Sequence, residues 1–213
     1  MKNYTKIAVI GGTGKSGKYL VQELPRQGFS IKLLVRNPKN FKINNEHIEV
    51  IYGDVRDYEV VRSIIQGCSV VLSTLGGTPL SEPTVFSQAT KNILRAMAEF
   101  GIKRYVVTTG LNVNTSFDKK GVITQAGTDW MHVNFPKSTA DRQHEYDLLL
   151  ESTVDWTLIR LPLIELTDER RETKTSLEDC LGENISATDL ANFIVEQIDD
   201  CTFIQKAPFL ANI

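Results

Sequence analysis

Three glycines at three-residue spacing, Gly11, Gly14 and Gly17, follow the apolar run Ile7–Ile10 directly and open onto a segment with helical spacing. A loop of this kind suits an anion. One glycine makes the tight turn, one lets backbone N–H groups close on a diphosphate, and one lets the helix pack tightly on the strand. The positive end of the following helix then faces the phosphate charge. Thr13, Lys15 and Ser16 lie in the same loop and complete a candidate set for the diphosphate of a dinucleotide. Gly14-Lys15-Ser16 also invites a nucleoside-triphosphate loop, but that motif needs a glycine at position 9, where Val9 sits inside the strand. A purely structural glycine turn is the other alternative.

A second run, Ile31–Val35, ends in Arg36, where a carboxylate is expected if a free ribose 2′-hydroxyl is held. An arginine there suits a 2′-phosphate, so NADP (NADPH) is favoured over NAD; a solvated surface arginine is the competing reading. The third run ends at Gly53-Asp54-Val55, where the Asp54 carboxylate is a candidate acceptor for an adenine amino group; the alternative is an ordinary turn.

Those residues need a frame. Apolar runs at Ile7–Ile10, Ile31–Val35, Ile48–Ile51, Val70–Leu72, Tyr105–Thr108 and Trp156–Ile159 do not alternate, as expected of a parallel sheet covered on both faces. Helical spacing fills the intervals. One helix runs from about Lys15 to Gln27, with Pro25 expected to end or bend it, and another from Asp57 to Gln66, stopping at Gly67. A third spans Pro83 to Phe100, its start marked by Ser81 and Pro83 and its end by Gly101, and a later one carries Leu190, Phe193, Ile194 and Ile198. A helix before the sixth run is polar from Lys137 to Glu145 and apolar at Tyr146, Leu149 and Leu150. That polarity fits a wall facing ligand, or solvent. Alternating β and α units predict an α/β, Rossmann-type, doubly wound parallel sheet in three layers: a single domain over residues 1–213. Two stretches, about 112–136 and 167–183, stand outside the repeat as small substrate-side insertions expected to project from the carboxyl edge of the sheet.

Composition narrows the partners. Of 213 residues, 41% are hydrophobic and 23% charged, with net charge −2, which is enough for a full core and offers no basic footprint for nucleic acid. No apolar run approaches membrane length and no export signal is read at Met1–Lys6, so a cytoplasmic protein, free of membrane and nucleic acid, is expected. Cys68, Cys180 and Cys201 have no metal-ligand spacing, so reduced thiols and no metal are expected. The expected partner is a small-molecule substrate, with the protein a monomer or small homo-oligomer.

The glycine loop, Leu34-Val35-Arg36, Gly53-Asp54-Val55 and Val71–Gly76 come in a serial order. Lys103–Thr109, Glu151–Pro162 and Ile185–Ala191 continue it. In that order the chain resembles the atypical short-chain dehydrogenase/reductase group with an NAD(P)H-binding domain, which includes flavin reductase and biliverdin-IXβ reductase-like and nitrogen-metabolite-regulator-like proteins. The resemblance covers nearly the whole chain. It implies Ser73, Thr74, Leu75 and Gly76 beside the adenosine-proximal ribose and diphosphate, and Thr108, Thr109 and Gly110 beside the nicotinamide. It also implies Leu161, Pro162 and Leu163 at the wall of the substrate pocket, with Leu161 and Pro162 among the cofactor-binding residues.

The usual proton-transfer pair of such reductases is missing: no tyrosine has a lysine four positions later. Counting back from Glu151–Trp156, the lysine position holds Arg142 and the tyrosine position Ser138. Arg142 suits a nicotinamide ribose or a phosphate, and it cannot be a general base. Thr109, His132 and Arg142 are the remaining candidates for catalysis; His132, His144 and Lys137 also read as ordinary surface residues. Hydride transfer to a flavin needs position more than acid-base groups, and Trp130, Met131, His132 and Phe135 offer either a pocket for a planar acceptor or a local core. Two readings stay open. One is an NADPH-dependent reductase of a small planar or carbonyl acceptor, with a flavin as candidate substrate. The other is a non-catalytic NAD(P)-binding sensor or assembly protein. A nucleotide-sugar epimerase or dehydratase ranks last, because it needs the tyrosine and a larger substrate domain.

Overall fold

The computed structural model describes residues 6–40, 45–77 and 83–213; the reading of the first residues and the Ser81 helix mark lie outside them. In chain order the elements are β1 (Ile7–Ile10), α1 (Gly17–Arg26), β2 (Ile31–Val35), β3 (Ile48–Tyr52), α2 (Tyr58–Ile65), β4 (Val70–Ser73), α3 (Val85–Phe100) and β5 (Arg104–Gly110). They continue as α4 (Val122–Asn134), α5 (Pro136–Leu150), β6 (Asp155–Leu161), β7 (Leu163–Glu165), β8 (Thr173–Ser176), β9 (Asn184–Ser186), α6 (Ala187–Glu196) and β10 (Phe209–Asn212).

The strands run β3-β2-β1-β4-β5-β6-β10-β8, all parallel except β8, which pairs antiparallel with β10. Apolar residues at every position of β1 are buried because helices cover both sides. On one face Ala8, Ile10, Val71, Tyr105, Val107, Trp156 and Leu158 pack under α2, α3 and α5. On the other, Ile7, Val9, Leu33, Leu72, Val106 and Ile159 pack under α1 and α6. The expected α/β, Rossmann-type, doubly wound architecture is therefore the observed one. The order reverses between β1 and β4, and a crevice opens there at the carboxyl ends, where this topology takes ligands.

Local chemistry ends the elements as expected. Asp57 accepts from the Glu59 N–H at 2.9 Å to cap α2, and Gly101, at φ +68°, closes α3. Pro25 is tolerated in the last turn of α1, which stops one residue later at Arg26, with Gly28 at φ +85° taking the chain out.

The two supposed insertions prove structured. The first contains α4, whose buried positions are Thr124 and Thr128 while Val122, Ile123, Trp130 and Val133 are exposed. The second supplies β8, the far edge of the main sheet, so it does not simply project from the carboxyl edge as expected. β10, which the apolar runs did not reveal, lies between β6 and β8. Among the described residues no helix is long and apolar enough to cross a membrane.

Candidate functional site

Gly11 adopts φ +82°, and a Cβ there would stand 2.6 Å from the backbone between Thr74 and Leu75. A Cβ on Gly17 would stand 2.3 Å from the Gly11 carbonyl oxygen. The loop thus lies flat against the end of β4 with no room for side chains. Ser16, at the N-cap of α1, makes no side-chain cap, while the Lys18 and Tyr19 N–H groups donate to the Gly14 and Ser16 carbonyls at 3.2 and 3.1 Å, so what the helix start offers an anion is its partial positive charge. The Thr74 hydroxyl is buried without a hydrogen-bond partner, facing the place where a Gly17 side chain would be.

A cavity of about 270 Å³ opens beside this loop, lined among others by Thr13, Gly14, Arg36, Asp54, Val55 and Gly76. Arg36 is exposed on its rim and no ion pair holds it among the described residues. Asp54 is engaged: Arg56 donates to its two oxygens at 3.0 and 2.9 Å. That hydrogen bonding holds the Asp54 carboxyl below its ordinary value against the opposing effect of burial, with the positive charge of Arg36 adding to it. The set fits a dinucleotide, with diphosphate at the glycine loop and an adenosine ribose toward Arg36. Lys15 is exposed, and neither Lys15 nor Ser16 lines the cavity.

A second cavity, of about 280 Å³, adjoins the first at the consecutive residues Gly76 and Gly77. Gly77, Phe86, Gly110, Asn112, Met131, Phe135, Ser138 and Arg142 line it. Of the four residues considered for a planar acceptor, Met131 and Phe135 reach it; Trp130 packs edge-on against Phe135 at 5.5 Å, and His132 is exposed on α4 and does not line it. His144 and Lys137 are exposed as well. Thr109 keeps a buried hydroxyl without a partner behind this wall, and Thr108 offers its carbonyl to Arg142. Leu161 is buried at the end of β6 and Pro162 half-buried, and neither touches these two cavities.

Arg142 differs most from its expected role. Its Nη1 donates to Glu145 Oε2 at 2.7 Å and to the Thr108 carbonyl at 3.2 Å, its Nη2 donates to the Leu75 carbonyl, and its guanidinium stacks 3.4 Å from the Phe86 ring centre. It clamps the loop after β4 and the carboxyl end of β5 to α5 and is not free to take a ribose or phosphate. The polar first half of α5 divides three ways: Ser138 and Arg142 line the cavity, Lys137 and His144 face solvent, and Asp141 and Glu145 are buried against α3. Asp141 accepts from the Phe86 and Ser87 N–H groups and so caps α3, while Glu145 accepts from Thr90 Oγ1 at 3.0 Å.

Arg160, fully buried, plays a similar part outside the cavities. It bonds the carbonyls of Ala207, Val113 and Leu177, pairs with Asp118, and stacks 3.6 Å over Phe209.

The sequence matches the family described as NAD(P)H-binding over residues 11–201. The chain belongs to that family. Among relatives in sequence, eugenol synthase 1 of Petunia hybrida is 36% identical over 115 residues, covering 48% of this chain and 37% of that protein. Cinnamoyl-CoA reductase 1 of Arabidopsis thaliana is 27% identical over 151 residues, covering 62% and 42%. The chain thus spans less than half the length of these relatives. Among solved structures, a short-chain dehydrogenase/reductase of Veillonella parvula in complex with NADP superposes with TM-score 0.78 at 18% identity, covering 98% and 95% of the two chains. ChuY of Escherichia coli O157:H7, described as an anaerobillin reductase, superposes with TM-score 0.81 at 16% identity, covering 98% and 97%.

Proposed function

We propose that this member of the NAD(P)H-binding family is an NADPH-dependent reductase of a small planar or carbonyl-bearing acceptor, a flavin among the candidates. The observation that carries the reading is the junction at Gly76 and Gly77 of a dinucleotide cradle with a cavity walled by Phe86, Met131 and Phe135. Aromatic and thioether walls favour a flat, apolar partner. The relatives named as reductases support the same class, and ChuY is named for a reductase activity on an anaerobillin.

In this reading the cofactor supplies a hydride when bound. The protein's part is position. The glycine loop and the α1 N-terminus would hold the diphosphate, Arg36 would take the 2′-phosphate, and Arg142, in the wall of the acceptor cavity, fixes the Leu75 and Thr108 carbonyls. Phe86, Met131 and Phe135 hold the acceptor flat and keep water out. We further read the protein as cytoplasmic and as a monomer or small homo-oligomer acting on a small molecule, which light scattering on the purified chain would check.

The test is NADPH oxidation with FMN, menadione and aldehydes. Turnover with a planar acceptor and a lower KM for NADPH than for NADH is expected; tight NADPH binding without turnover on any acceptor would overturn the reading. That outcome would favour the sensor reading, which also draws on Arg142 being the one titratable side chain among the described residues that line the acceptor cavity.

A further inference from the structure

Asn112 follows β5 by two residues, is only 2% exposed, and lines the acceptor cavity. Its amide nitrogen is buried without a hydrogen-bond partner. The surrounding loop does not need that amide. Leu111 N–H donates to the Leu161 carbonyl at 2.9 Å, the Val113 carbonyl is held by Arg160, and Asn114 N–H donates to Gln143 Oε1 at 2.9 Å. Burying an amide and leaving its donors empty is unfavourable, so an unpaired one beside a cavity points to a ligand atom.

Gly110 supports the same conclusion. A Cβ there would stand 2.4 Å from Asn112 Oδ1, so the missing side chain is what admits the amide against the strand end. The terminal torsion of asparagine is broad and two-fold, and with no Cβ opposing it the amide has room to turn and present N–H to the cavity. The remaining wall residues offer little competition. Phe86, Met131 and Phe135 are apolar, and the terminal nitrogens of Arg142 are bonded to Leu75, Thr108 and Glu145, which leaves Ser138 as the other neutral donor.

We propose that Asn112 is a catalytic residue whose side-chain amide donates to a carbonyl or lactam oxygen of the acceptor. This rests on the reductase reading above and narrows its substrate to planar molecules bearing such an oxygen. The acceptor atom conjugated to that oxygen, a carbon in a carbonyl compound or the ring nitrogen N5 in a flavin, gains the hydride, with the reduced nicotinamide as donor. The displaced π pair moves onto the oxygen, where the Asn112 N–H stabilises it, and the oxygen then takes a proton from water. The acceptor gains two electrons and the nicotinamide is oxidised by two. No side-chain acid is required, which is consistent with the missing tyrosine and lysine.

Asn112→Leu keeps the approximate shape and removes the donors. Its kcat with FMN or menadione should fall about 100-fold, the scale of losing one donor to a developing oxyanion, while the KM for NADPH stays within about twofold. With NADP-saturated protein, Asn112→Leu should bind FMN more weakly and bind phenazine, which has no carbonyl, as the unmodified protein does. Unchanged turnover, or equal weakening of FMN and phenazine, would overturn the proposal. A third measurement stands apart from turnover. The side-chain amide resonance of Asn112, identified by its loss in Asn112→Asp, should move when FMN is added to the NADP-saturated protein. If the unmodified protein reduces no acceptor, the reductase reading and the catalytic role of Asn112 both fail, and that resonance separates binding from chemistry: movement keeps Asn112 as the donor to the bound acceptor, and a fixed position overturns that as well.

Discussion

At Gly17 any side chain would collide with the Gly11 carbonyl, backbone against backbone, so no rotamer change can relieve it. Gly17→Ala should therefore cost about 1–3 kcal/mol of stability and abolish measurable NADPH binding by calorimetry. Arg36 is different, because it bears on one phosphate and not on the fold. Arg36→Ala should weaken NADPH about 10- to 100-fold, the worth of a hydrogen bond to a charged group, and leave NADH unchanged; equal weakening of both would remove the 2′-phosphate assignment. Cys68 gives a pH prediction. Burial pushes its thiol up to about 11, so it stays protonated and inert at pH 8 and forms thiolate only as the pH climbs toward that value. Ellman's reagent at pH 8 should label the exposed Cys201 quickly and Cys68 only on unfolding.

Among the elements, α4 and α5 show where the sequence could and could not be read. The six parallel strands β1 to β6 and the helices α1, α2, α3 and α6 follow from apolar runs and caps, because their own residues carry the pattern. In α4 the pattern is inverted: Thr124 and Thr128 are inside, and Gly127 lets the helix approach the Leu111 side chain. In α5 the buried face includes Asp141, Arg142 and Glu145, and the partners of Asp141 and Glu145, namely Phe86, Ser87 and Thr90, lie 54 or 55 residues away on α3. No local signal distinguishes such a face from a solvated one. Asn112 was equally hidden, since a lone asparagine in a loop has no spacing to read. Because Glu145 is buried, Arg142→Met should leave an unpaired charge and cost about 3–5 kcal/mol in a denaturant melt. Arg142→Met with Glu145→Leu should recover part of that loss, because the uncompensated carboxylate is gone.

Across the whole molecule, Arg160 links parts that are distant in sequence: the loop after β5 through Val113 and Asp118, the segment after β8 through Leu177, and the approach to β10 through Ala207. Lys120 joins the same charge cluster, 3.6 Å from Asp118 and bonded to Asn114 and to Thr128 of α4. Arg160→Met should cost about 3–5 kcal/mol and raise amide exchange near 113–118, 177 and 207 together, while the β1 amides stay protected. Exchange confined to one of those segments would show that the linkage is weaker than its hydrogen bonds suggest.

β10 also sets an order of events during synthesis. Residues 209–212 are not at a margin of the sheet but between β6 and β8. Until they leave the ribosome, the buried strand β6 has an unpaired edge and β8 has nothing to pair with. The nascent chain thus carries an open, apolar strand edge for the whole translation of residues 162–208. An exposed apolar edge of that kind is the feature that favours strand-to-strand aggregation until its partner arrives.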